Sequence, residues 1–207
     1  MLSRARIAVL VSGGGTNLQA LIDAEKSGAI QSGKICLVIS NNSKAYALKR
    51  AEAAEIPSQV ITKKDCGGSE AFEKALIEAL DSNQIDLIVL AGFMSILSAD
   101  FTSHYQNRII NVHPSLIPSF CGKGMYGLRV HEAALSYGVK VTGATVHFVN
   151  EVPDGGRIIL QKAVTIRPDE TPETLQKRVM EQAEWVILPQ ATELVSAHIM
   201  KEKEHAK

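Results

Sequence analysis

Five short apolar runs rich in β-branched residues recur along the first half of the chain: RIAVLVS at 6–12, KICLVIS at 34–40, SQVIT at 58–62, DLIVLAG at 86–92 and RIINVH at 108–113. Between them lie amphipathic stretches at 17–27, 44–54 and 69–82, with apolar residues at helical spacing. Strands that are apolar on both faces need cover on both faces, and the intervening helices supply it. The pattern therefore predicts an α/β fold: a Rossmann-like, mostly parallel sheet with helices on both faces. After Gly143 the rhythm changes. ATVHFVN at 144–150 and RIILQKAV at 157–164 alternate with period two across a short, turn-rich segment, which predicts an antiparallel extension in the C-terminal half. Thr171 then reads as a helix N-cap with Pro172 at the first helical position. Leu175, Val179, Ala183, Val186 and Ile187 form an apolar stripe, so a long closing helix should pack on the sheet. The charged tail KEKEHAK, 201–207, is expected to fray.

A chain of 207 residues, 45% apolar and 21% charged, has the balance of one globular domain, 1–207. It divides into a Rossmann-like half, 1–113, and a second half, 114–207, that carries the closing helix. Twenty-two basic residues balance twenty-two acidic ones, so no basic field is available to hold a nucleic acid. Cys36, Cys66 and Cys121 are odd in number and include no C-x-x-C pair, which fits a reducing, cytoplasmic setting better than a disulfide framework. The five-residue apolar run before the first glycines is too short for a signal segment or a membrane span.

Three places could carry chemistry. SGGGTN, Ser12–Asn17, links the first strand to the first helix, where outward-facing backbone N–H groups and the helix N-terminus can hold a phosphate. It could equally be a tight turn capped by Thr16 or Asn17. It is neither a dinucleotide fingerprint nor a P-loop. Asn111 and His113, two apart on a strand, point to one side, and Pro114 stops the strand there, placing the pair at its carboxyl end. An amide and an imidazole aimed at one point can stabilise an oxyanion; the plainer reading is a strand end that satisfies loop carbonyls. Asp154, in VPDGG, is ordinary turn chemistry by itself, but a carboxylate brought near that pair would complete a proton acceptor beside oxyanion donors. The other histidines carry less weight: His131 lies in an amphipathic stretch and His147 shares a strand face with Thr145. None has the spacing of a metal site, and no metal is expected.

Taken in order, VLVSGGGTNLQALID, LAGFMSILS, IINVHPSLIPSF, VTGATVHFVNEVPDGGRIILQ and ETLQKRVMEQAEWVILP resemble the phosphoribosylglycinamide formyltransferase family over nearly the whole chain. The resemblance implies transfer of a formyl group from 10-formyltetrahydrofolate, a co-substrate, to the amino group of glycinamide ribonucleotide in purine synthesis. It implies Asn111, His113 and Asp154 as the catalytic trio, and Gly14, Gly15, Thr16 and Asn17 as the phosphate turn. It also implies Glu184 near the glycinamide end, and a folate pocket lined by Phe93, Met94, Ser95, Ile96 and Leu97 together with Asn111 and Val152. Ser69 and Ser95 stand where many members carry arginine, so Lys123 or Arg129 is a candidate replacement cation. Three glycines within 122–127 make residues 121–127 a candidate lid. Partners are small molecules, with no membrane and no nucleic acid, and the chain is a monomer or homodimer. The rival readings are methionyl-tRNA formyltransferase, formyltetrahydrofolate deformylase, and a silent phosphosugar-binding module.

Overall fold

A computed structural model describes residues 4–205. In chain order the elements are β1 (Ala5–Val11), α1 (Thr16–Lys26), β2 (Gly33–Ser40), α2 (Tyr46–Ala53), β3 (Ser58–Val60), α3 (Lys63–Cys66), α4 (Ser69–Ser82) and β4 (Leu87–Leu90). There follow α5 (Ala99–His104), β5 (Ile109–His113), α6 (Leu128–Tyr137), β6 (Val141–Phe148), β7 (Ile158–Thr165), α7 (Pro172–Val179), a π-helical turn (Met180–Glu184) and α8 (Trp185–His205). The seven strands form one sheet in the order β3-β2-β1-β4-β5-β6-β7. β1 to β5 are parallel, whereas β6 runs antiparallel to both β5 and β7. The expected fold class is the observed one.

Period-two geometry divides the core between the two faces. Ile7, Val9 and Val11 of β1 join a cluster with Leu18 and Leu21 of α1, Ala47 of α2 and Ile187 and Leu188 of α8. Ala8 and Leu10 join the opposite cluster with Phe72, Leu76 and Leu80 of α4 and Phe101 and Tyr105 near α5. Each Val, Leu, Ile or Phe side chain among these, fully buried, contributes roughly 1.5–3 kcal/mol. The chain winds from β1 outward to β2 and β3, then returns to set β4 on the other side of β1. Strand order therefore reverses between β1 and β4, and the crevice at their carboxyl ends is where an open α/β sheet presents a ligand site.

Three expectations need correction. The closing helix is interrupted: α7 and α8 are separated by the π turn 180–184, a five-residue step that helical periodicity does not reveal. The tail is not frayed through the described residues, since α8 runs to His205 and Lys203 Nζ meets Asp86 Oδ1 at 2.6 Å. Ala206 and Lys207 lie outside the described residues. β3 stops at Val60 because Thr62, two residues on, accepts from the Asp65 N–H and caps α3. Among the described residues no helix is long and apolar enough to cross a membrane.

Candidate active site

Pro114 ends β5 immediately after His113, so the last strand residues open onto the crevice. Across the antiparallel ladder Asn111 stands opposite His147, and His113 opposite Thr145. Asn111 Nδ2 lies 3.2 Å from His147 Nε2, and His147 Nδ1 lies 2.8 Å from the Phe148 carbonyl oxygen. A carbonyl only accepts, so the Nδ1 of His147 carries the proton and its Nε2 accepts from the Asn111 amide. Burial lowers the His147 pKa, which keeps the ring neutral and suited to that acceptor role. Asn111 then retains a second N–H for a ligand.

His113 is 4% exposed, with Nε2 2.9 Å from the Phe120 carbonyl oxygen and Nδ1 3.5 Å from Asp154 Oδ2. The plainer reading of a strand-end histidine, that it satisfies a loop carbonyl, is therefore true of one nitrogen. The other faces a carboxylate. Asp154 Oδ2 accepts from the Gly122 N–H at 2.8 Å, and its Oδ1 stands 3.7 Å from His147 Nε2. The turn that delivers Asp154 is closed by the Gly155 N–H to the Val152 carbonyl at 2.9 Å, and places Asp154 itself at φ 57°. Asp is among the few residues that tolerate this left-handed conformation. At Gly156 a Cβ would come within 1.7 Å of the Phe148 carbonyl, so only glycine lets the loop pass. Asp154, more than forty residues further along the chain, thus converges with Asn111 and His113. His147 joins them, and the sequence reading had set it aside.

The turn at Ser12–Asn17 departs from the capping reading. Among the described residues no side chain caps α1; its N-cap is Gly15, at φ 73°, so Thr16 and Asn17 do not serve as caps. The first N–H groups of α1 are left for a ligand. The Gly13 carbonyl accepts from the Ala47 N–H, and the Gly14 carbonyl from Arg50 Nε at 2.9 Å, so both are turned back toward α2. A Cβ at Gly15 would meet the Ala47 Cβ at 2.6 Å, whereas at Gly14 it would meet nothing within 4 Å. Asn17 Nδ2 donates to Glu184 Oε2 at 2.8 Å. Glu184, at the end of the π turn, is 6% exposed, and burial raises its pKa; it is not a solvated helix carboxylate.

A cleft of about 130 Å³ opens beside the trio, walled by Phe93, Ser95, Ile96, Leu97 and Val152, with Asn111, His147 and Asp154 at its base. Met94 is not in its lining; it is 55% exposed and its N–H donates to Ser12 Oγ. Ser95 Oγ accepts from Asn41 Nδ2. Among the described residues the cleft holds Glu151 and Asp154 but no Lys or Arg, so neither Lys123 nor Arg129 stands in it for the arginines absent at Ser69 and Ser95. Arg129 instead lies over the Tyr126 ring. The glycine-rich segment 121–127 contributes through Gly122, which docks on Asp154. Among the described residues no three His, Cys, Asp or Glu side chains are grouped as metal ligands.

Comparison with known proteins matches the formyl transferase family model to residues 5–192. Phosphoribosylglycinamide formyltransferase of Haemophilus influenzae is 45% identical over 184 residues, 89% of this chain and 84% of that protein. The chain belongs to the phosphoribosylglycinamide formyltransferases. As in other members, its fold is reproduced in solved structures: glycinamide ribonucleotide transformylase 1 from Symbiobacterium toebii superposes with a TM-score of 0.88 at 40% identity, covering 94% of this chain and 89% of that one. The formyltransferase sequence also matches the Bos taurus trifunctional purine biosynthetic protein adenosine-3, 45% identical over 194 residues, 94% of this chain. It spans only 18% of that longer protein's length.

Proposed function

We propose that the chain transfers the formyl group of 10-formyltetrahydrofolate to the amino group of glycinamide ribonucleotide, giving formylglycinamide ribonucleotide and tetrahydrofolate in purine nucleotide synthesis. The observation that carries this reading is the meeting of Asn111, His113 and Asp154 at the carboxyl end of β5, each within 4 Å of a partner group. The uncapped start of α1, at Gly14, Gly15, Thr16 and Asn17, takes the ribose phosphate. Glu184, held by Asn17, lies under the path toward the glycinamide end. The folate ring enters the cleft between Phe93–Leu97 and Val152.

The substrate amine attacks the formyl carbon and forms the C–N bond, while the carbonyl pair moves onto oxygen. That oxyanion is met by the second N–H of Asn111 and by His113, whose Nε2–H turns to it from the Phe120 carbonyl while Nδ1 stays on the Asp154 side. Asp154 takes the proton released by the attacking nitrogen and returns one to N10 of the folate as the C–N10 bond breaks. Anchoring of the phosphate far from the reacting atoms turns binding into orientation. No resident cofactor enters these steps. Residues 1–207 act as one unit, with 1–113 holding the phosphate and 114–207 bringing the donor and catalytic loops, in the cytoplasm.

The test is loss of 10-formyltetrahydrofolate, followed spectroscopically with and without glycinamide ribonucleotide. Loss that depends on the ribonucleotide is the expected result. Equal loss in its absence would make the chain a deformylase, and none in either case would make it a binding module.

A further inference from the structure

Phe93, Ser95, Ile96 and Leu97 form one wall of the cleft beside the trio, yet residues 93–97 lie outside every helix and strand. Their apolar anchors are Phe93, stacked on Phe72 with ring centroids 6.5 Å apart, and the buried Leu97. Between these anchors the main chain has little support. Among the described residues no backbone-to-backbone hydrogen bond involves 93–97, and only one main-chain group there has a partner: the Met94 N–H, which donates to Ser12 Oγ at 2.8 Å.

Ser12 belongs to the other site. It is the first residue of the turn that runs from β1 into α1, and its own carbonyl accepts from Asn42 Nδ2 at 3.1 Å, which fixes its backbone independently of the wall. A serine hydroxyl has two acceptor lone pairs and one proton to donate. The Met94 N–H uses one lone pair, and among the described residues the proton has no acceptor. One oxygen therefore holds the wall of the cleft while its proton is left for an anion in the turn.

Hydrogen bonds in a chain polarise one another, so an O–H that donates to an anion makes its oxygen the stronger acceptor. A phosphate monoester taking the Ser12 proton would thus tighten the Met94 N–H on the same oxygen and steady the wall. The second polar tie of the wall lacks this property. Ser95 Oγ accepts from Asn41 Nδ2 at 2.9 Å, and Asn41 follows β2 rather than lying in the turn.

We propose that Ser12 is a positioning residue that couples the two substrate sites: a phosphate monoester in the turn at 12–17 and a reduced folate in the cleft strengthen each other's binding through the Ser12–Met94 hydrogen bond. This coupling rests on the assignment of those two sites under the formyl-transfer reading. By linkage it is reciprocal. Met94 enters it through the main chain, since its side chain is not part of the cleft lining.

Ribose 5-phosphate and tetrahydrofolate are the probes. The first carries the phosphate without the glycinamide arm that meets the donor, and the second carries no formyl group, so the coupling is read as binding alone. Saturating ribose 5-phosphate should tighten tetrahydrofolate binding about fivefold or more by calorimetry, and should slow hydrogen exchange at the Met94 amide with no folate present. Ser12→Ala, at a partly exposed position, should still bind each probe, and the enhancement should vanish. Asn41→Ala loosens the wall without touching Ser12, so tetrahydrofolate should bind more weakly while the enhancement remains. An enhancement that survives Ser12→Ala, or one that Asn41→Ala also abolishes, makes the effect a general stiffening of the wall and overturns the role of Ser12. A Ser12→Ala chain that no longer binds ribose 5-phosphate makes Ser12 a phosphate ligand alone and overturns it as well. Binding of both probes to the wild-type chain with no enhancement overturns the coupling and leaves the formyl-transfer reading standing, whereas failure of either probe to bind removes a substrate site and that reading with it.

Discussion

Asp154 bears the heaviest demand of any single residue, because it must hold a left-handed backbone, accept from Gly122 and face two histidines at once. Asn tolerates the same backbone and keeps the turn chemistry. Asp154→Asn should therefore leave the thermal midpoint and ribonucleotide affinity close to wild type while kcat falls roughly 10²- to 10⁴-fold through loss of the base. A folded variant with near wild-type kcat would remove Asp154 from the mechanism. His147 acts one step back, fixing the Asn111 amide with a neutral ring. Replacing it by Leu removes that acceptor, and loss of one hydrogen bond of about 1.4 kcal/mol corresponds to a tenfold lower kcat. The Michaelis constant for glycinamide ribonucleotide should not move with it; a change confined to that constant would place His147 in binding alone. Neither role was legible from neighbours in sequence. Asp154 sits in VPDGG, a motif any turn could use, and it acquires meaning only when the loop folds back over the end of β5. His147 was passed over because its partner is set by antiparallel register, and the pairing Asn111 with His147 requires knowing that β6 lies beside β5 as well as β7.

At the scale of elements, the strands were readable because burial on both faces leaves a signature that polar residues cannot imitate. Ile7 to Val11 and Leu87 to Leu90 are buried without interruption, as their composition implied. What lay beyond reading was irregularity. A π turn adds a residue without changing the apolar character of the stripe, so 172–205 looks like one helix from its sequence. The turn at 12–17 shows the same limit: SGGGTN marks a strand-to-helix junction but does not say which glycine is structural. Gly15 is, because a side chain there would collide with Ala47 on top of its positive φ. Gly15→Val thus confounds binding with folding. Gly14 has open space around it, so Gly14→Ala should keep the thermal midpoint within about 0.5–1 kcal/mol equivalent and raise the Michaelis constant for glycinamide ribonucleotide well above any effect on that for the folate. Equal effects on the two constants would count against the turn as the phosphate site.

Across the whole molecule, acid acts on the fold through one buried histidine. His131 of α6 is fully buried, and burial, followed by the nearby His113, lowers its pKa to about 4. In the unfolded chain a histidine titrates near 6.5, so below that value the unfolded state takes up a proton that the folded state refuses. Stability is therefore fully present above about pH 6.5 and declines as pH falls toward 4, by up to about 3 kcal/mol from this one group. The thermal midpoint of His131→Leu should fall less than that of wild type between pH 7 and pH 5. Parallel curves would show that other groups dominate the acid response.

The π turn has one more consequence, and it concerns how such a chain can change over generations. Five residues, Met180–Glu184, occupy a turn that an ordinary helix completes with fewer, and the extra length carries Glu184 inward to Asn17. Loss of a single codon from this stretch would let the helix run straight into α8 with its apolar side still seated on the sheet. The protein would remain foldable and would lose the carboxylate held by Asn17, so a one-position gap at 180–184 in a related gene marks a change of ligand rather than a defect of structure.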